Sequence, residues 1–120
     1  MNIFYKLLLV FLGAGLGGSL RWLLSSWLNG TRPIGTFLVN VLGCFLVGLL
    51  SGLLVKHCHQ HEPLTLLLVA GFCGGFTTFS TFVNENFLLL QTHHPLSSLL
   101  YVLSSLIAGL IACWLGRYLA

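Results

Sequence analysis

Charge is what this sequence has least of. Lysine, arginine and glutamate supply seven of its 120 residues, or 6%, and aspartate is absent; a soluble domain carries about 25% charged residues. The seven are Lys6, Arg21, Arg32, Lys56, Glu62, Glu85 and Arg117. They are too few to solvate a chain that is 57% hydrophobic with a mean hydropathy of +0.98, so a soluble fold is excluded and the class is integral membrane. The scarcity also removes chemistry. No carboxylate pair, no nucleophile with an identifiable base and no phosphate-cradling loop is present, so the chain does not read as an enzyme. The net charge of +3 is scattered rather than gathered in a patch, which argues against a nucleic-acid partner. Cysteine is sparse as well. Cys44, Cys73 and Cys113 fall inside apolar runs as small packing residues, and Cys58 sits in a loop, so no disulfide framework is expected.

Long apolar runs fill the space that charge leaves. Four spans are expected in one domain covering residues 1–120, at about Ile3 to Leu28, Ile34 to Val55, Leu64 to Gln91 and Leu96 to Tyr118. Each exceeds the roughly 20 residues needed to cross a ~30 Å hydrocarbon core. The first run continues past Gly18 without a small-residue cleavage site, so it reads as a span and not a leader. Three short linkers, Asn29–Pro33, Lys56–Pro63 and Thr92–Pro95, each end in proline, which suits the start of a helix. Gly48/Gly52 and Gly71/Gly75 are GxxxG pairs of the kind that let helices approach closely in lipid. The fold class is therefore an all-α bundle of four transmembrane helices per subunit.

The third span is unusual. Gly71–Asn86, GFCGGFTTFSTFVNEN, places Gly74-Gly75 and Thr77-Thr78 at membrane depth. Two readings fit the pattern: a helix broken near the midplane, its freed backbone lining a cavity, or a continuous helix with small residues at a tight contact. Polar residues elsewhere are few. Thr36, Asn40 and Ser51 share a face of span two, and Ser97, Tyr101, Ser104, Ala108 and Ala112 form a small, hydroxylated stripe on span four. Arg21 lies about seven residues inside span one, too deep to face lipid without cost. The His57–Glu62 loop carries zinc- or copper-type ligands, but one loop supplies them all, as in adventitious binding more than a structural site. Asn40, Thr77, Thr78, Ser80 and Thr81 are neutral donors, and Phe79 and Phe82, three apart, share a face. Ring edges are electropositive, and neutral donors can replace an anion's hydration without trapping it. The plainer reading of the phenylalanines is packing.

Gly71–Phe82 GFCGGFTTFSTF, with Gly13–Arg21 GAGLGGSLR and Gly35–Gly48 GTFLVNVLGCFLVG, closely resembles the Fluc/CrcB family of fluoride channels across three of the four spans. The resemblance implies an antiparallel, dual-topology homodimer in the cell inner membrane that passes fluoride through two pores. It makes Asn40, Phe79, Ser80, Thr81, Phe82, Tyr101 and Ser105 the fluoride pathway. It also implies a structural sodium ion on the carbonyls of Gly74 and Thr77, and a vestibule or structural part for Arg21. Gly109 stands where a further serine is expected in relatives. Glu85 is awkward beside an anion path; Asn84 and Asn86 are its expected partners. The alternative is a proton-coupled small-multidrug-type exporter, which needs a membrane-embedded carboxylate; span one has none and Glu85 is the sole candidate.

Overall fold

The computed structural model describes residues 1–30, 32–59 and 61–120. Helix α1 spans Ile3–Leu28 and α2 spans Ile34–His57. The third span is built from pieces: a turn α3 (Glu62–Leu64), a π-helical segment Thr65–Cys73, a turn α4 (Gly74–Phe76) and, after two non-helical residues, α5 (Phe79–Gln91). Helix α6, Pro95–Leu119, completes the bundle. Four segments are long and apolar enough to cross a membrane, and there is no strand among the described residues. The molecule is 51 Å long, enough for a hydrocarbon core and both headgroup layers, about 40–45 Å together.

The helix starts follow from local chemistry. The Asn2 side chain accepts the Tyr5 N–H at 2.9 Å, an N-cap for α1. Pro63 and Pro95 sit in the first turns of α3 and α6, where a missing N–H costs nothing. The α1–α2 connection is stapled by one amide. Asn29 Oδ1 accepts the N–H groups of Gly35 at 2.6 Å and Thr36 at 3.2 Å, satisfying donors that the start of α2 leaves without helical partners.

Close backbone approach, more than buried bulk, holds the bundle together. A Cβ on Gly13 would overlap the Leu67 carbonyl oxygen, and one on Gly17 the Phe72 carbonyl oxygen. From the other side, a Cβ on Gly75 would lie 2.5 Å from the Ala14 carbonyl oxygen. Helices α2 and α6 meet in the same way, with Gly48 on the Cys113 carbonyl and Gly116 on that of Phe45. Both GxxxG pairs thus lie at helix contacts, as expected for association in lipid. Large apolar side chains such as Phe4, Phe11, Trp22 and Leu110 point outward.

The packed face of α6 differs from the expected stripe. Ser98, Tyr101, Gly109, Ala112 and Gly116 are buried, whereas Ser97 and Ser104 are exposed. Gly116 against the backbone of α2 and Gly109 against the Cys44 sulfur set the rotation of the helix, and Ser97 and Ser104 turn outward. At one end of the bundle Lys6 pairs with Glu62 at 2.7 Å, and Lys56 Nζ donates to the Ala120 oxygen at 2.8 Å.

Candidate ion pathway at the broken helix

Helix stops at Phe76 and resumes at Phe79. Thr77 and Thr78 between them are extended, with φ/ψ of −92°/156° and −145°/120°. The break is narrower than expected: Gly74 and Gly75 remain helical, held by the contact of Gly75 with Ala14. Backbone groups freed inside a membrane must find partners. The Thr78 N–H donates to Asn40 Oδ1 at 2.8 Å, and Asn40 Nδ2 donates back to the Thr78 carbonyl at 3.1 Å. One amide thus takes up the N–H that the break frees and adds a second donor to the carbonyl that begins α5. Arg21 Nε donates to the Gly75 carbonyl at 3.0 Å, and Thr78 Oγ1 caps α5 by accepting the Thr81 N–H at 3.3 Å. Among the described residues no donor reaches the carbonyls of Gly74 or Thr77.

A cavity of about 410 Å³ opens beside the break, and Asn40, Gly74, Thr77, Phe79, Phe82 and Ser105 contribute to its wall. Ser105 Oγ is buried there without a hydrogen-bond partner. The rings of Phe79 and Phe82 lie 6.1 Å apart, and Phe82 meets Tyr101 edge-on at 5.0 Å and 70°. That contact brings Tyr101 next to the cavity. Ser80 and Thr81 lie on the outward side of α5 and do not border the cavity.

Glu85 is partnered, though not by its neighbours. Thr36 Oγ1 and Tyr101 Oη each donate to its carboxylate at 3.1 Å, and Asn29 Nδ2 donates to Thr36 Oγ1 at 3.3 Å. Asn86 instead donates to the Phe82 carbonyl and accepts from Ser98 Oγ, both at 2.9 Å. Adjacent residues on a helix face different ways, so Asn84 and Asn86 could not serve a carboxylate at position 85. The sequence reading missed Asn29 and Thr36 as members of this network. Asn29, just after span one, has the position of a capping residue, and Thr36 shares a helix face with Asn40; nothing in the local sequence joins either of them to Glu85.

The family model described as CrcB-like protein, Camphor Resistance (CrcB), matches residues 8–117. This chain belongs to the CrcB family. It is 47% identical to fluoride-specific ion channel FluC 2 of Rhodococcus jostii (strain RHA1), over 91% of this chain and 93% of that protein. It is 44% identical to fluoride-specific ion channel FluC of Azobacteroides pseudotrichonymphae genomovar. CFP2, over 95% and 94%. In this CrcB chain the matched region runs through all four spans and includes both sides of the break.

Arg21 offers a direct test of how the CrcB break is held. Arg21→Met leaves the Gly75 carbonyl without its charged donor, a loss of about 1.5–3 kcal/mol for a hydrogen bond to a charged group. A lower melting temperature of the detergent-solubilised protein is the expected result, with Arg21→Lys in between. Equal melting of Arg21→Met and the parent would show that the bond does not hold the break.

Proposed function

We propose that two copies of this chain, inserted in opposite orientations in the cell inner membrane, form a channel that exports fluoride passively through two symmetry-related paths. The observation that carries this reading is the cavity at the break, walled in part by Phe79, Phe82 and uncharged polar groups, in a chain 44–47% identical to proteins named fluoride-specific ion channels. A small anion needs donors strong enough to replace water and weak enough to release it. The free N–H of the Asn40 amide, the unpartnered Ser105 hydroxyl and the rings of Phe79 and Phe82 meet that requirement. Ser80 and Thr81, facing away from the cavity within one subunit, join the path at its outer side. The Glu85 carboxylate, held by Thr36 and Tyr101, has its charge directed to hydroxyls. A sodium ion at the dimer axis would sit on the carbonyls of Gly74 and Thr77 from both subunits, hard oxygen donors that lack other partners.

Purified protein in liposomes is expected to release fluoride when potassium is shunted, without a proton gradient, and to pass chloride poorly; a fluoride electrode follows it. Flux that requires a pH gradient, or transport of an organic cation in place of fluoride, would favour the exporter reading. Orientation is tested separately. Lys6, Lys56 and Arg117 lie toward one side and Arg21 and Arg32 toward the other, a bias too small to impose one topology by the positive-inside rule. Added lysines in the Asn29–Pro33 loop or the Lys56–Pro63 loop should bias insertion oppositely. Each variant alone should lose fluoride resistance, and the two together should restore it.

Phe82→Ile keeps an apolar side chain but removes the edge-on contact to Tyr101 and the tilted ring contact to Phe79. Severe loss of fluoride efflux is expected for it and for Phe79→Ile, with the dimer intact on gel filtration. Normal efflux in both would reduce the phenylalanines to packing.

A further inference from the structure

We propose that the cavity at the break also binds soft monovalent cations, Ag⁺ and Cu⁺, through the thiols of Cys44 and Cys73, and that this binding closes the fluoride path. The closing half rests on the channel reading above; the binding half does not. Cys44 comes from α2 and Cys73 ends the π-helical segment, yet both border the cavity that Asn40 and Phe82 also border. Both thiols are free. The Cys44 sulfur packs against α6 where Gly109 leaves room, 3.3 Å from where a Cβ at that position would stand. One turn back along α6, Ser105 presents a buried hydroxyl with no partner. Two thiol-bearing residues from different elements thus border one largely apolar cavity.

The chemistry selects the ion. Thiolate sulfur prefers soft cations such as Cu⁺, whereas sodium, magnesium and calcium prefer oxygen. Binding replaces the thiol proton, RSH + Ag⁺ giving RS–Ag + H⁺, and involves no change of oxidation state. A monovalent ion on one thiolate forms a neutral adduct, whereas a divalent ion is neutral only where it bridges both thiolates. On either thiolate alone a divalent ion would leave a net charge in an apolar wall, at a high desolvation cost. The break therefore offers two cation chemistries side by side, the Gly74 carbonyl for a hard ion and the adjoining Cys73 thiol for a soft one. An adduct on Cys44 or Cys73 occupies the space beside Asn40 and Phe82 through which fluoride would pass.

Cys58 serves as the internal control, because it lies outside this cavity; Cys113 packs against Gly48, one turn from Cys44 on α2, and is left unchanged in every variant. The test uses the full chain in liposomes in chloride-free nitrate buffer, with Ag⁺ as a redox-stable probe. Intact-protein mass spectrometry reads silver bound, and a fluoride electrode reads efflux. Silver is expected to replace protons at Cys44 and Cys73 and to reduce efflux to the level of protein-free liposomes. Cys44→Ser/Cys73→Ser should lose both the adducts and the block, each compared with the same variant untreated. Cys58→Ser should keep both. Should the Cys73 change prevent assembly, Cys44→Ala alone must bind one silver fewer and need more silver for half-block. Equal silver sensitivity in the cavity variants and the parent, or silver confined to Cys58 and Cys113, overturns the proposal. If silver maps to Cys44 and Cys73 in a protein that passes no fluoride, the binding stands and the channel reading fails.

Discussion

Asn40→Asp is expected to abolish fluoride efflux. In the parent, one amide both accepts the Thr78 N–H and donates to the Thr78 carbonyl. Aspartate keeps the acceptor but loses the donor, so a carboxylate faces the Thr78 carbonyl with no hydrogen between them. It also places a negative charge on the wall of the proposed anion path. At an effective dielectric of about 20, like charges about 4 Å apart repel by about 4 kcal/mol, which is close to a thousandfold in rate. Asn40→Leu removes the clamp without adding charge, and its smaller loss measures the clamp alone. Fluoride-electrode recordings on liposomes of equal protein content compare the two. Near-normal efflux in Asn40→Asp would take Asn40 out of the pathway.

The largest structural effect is expected from Gly17→Ala. A methyl group there would overlap the Phe72 carbonyl oxygen and press on the Phe76 N–H, at 2.9 Å from the nitrogen. No side chain can rotate away to make room, because the obstructing atoms belong to the backbone. Overpacking costs about 1–3 kcal/mol, sometimes more, and a backbone obstruction belongs at the upper end. The shift would separate α1 from the π-helical segment, and Arg21, one turn further along α1, would lose its reach to Gly75. Gly15→Ala is the matched control, since nothing lies within 4 Å of a Cβ at that position. Gly17→Ala should give little monodisperse protein on gel filtration, while Gly15→Ala behaves as the parent. Equal behaviour of the two would mean that the close approach at Gly17 is not needed for the fold.

Both predictions depend on contacts between residues far apart in the chain, and this is where sequence reading stopped. The polar stretch in span three was visible as a disturbance, but two readings of it stood. A continuous helix and a broken one differ in where backbone hydrogen bonds go, and the donors that replace them lie on other helices. Asn40 reaches Thr78 across 38 positions and Arg21 reaches Gly75 across 54. The extent of the break was likewise a tertiary matter: Gly75 stays helical against Ala14, so only Thr77 and Thr78 leave the helix, and Asn40 meets the N–H and carbonyl of Thr78. The same holds for Glu85, whose partners Thr36 and Tyr101 stand on two other spans.

The sequence by itself determined the class, the number of spans and the family. Seven charges cannot solvate this much apolar surface, runs of apolar residues between prolines cannot avoid crossing a membrane, and the glycine- and threonine-rich motifs are specific in their order. It also determined that the helices would meet through small residues, because in lipid close approach is what remains to hold helices together. Tertiary structure alone decided the rotation of each helix and therefore which polar groups meet. Ser98 turned inward where Ser97 and Ser104 did not, because Gly116 against the α2 backbone and Gly109 against the Cys44 sulfur orient α6. A hydroxyl or an amide has no preferred partner until packing brings one within hydrogen-bonding distance, and that distance is a property of the assembled bundle.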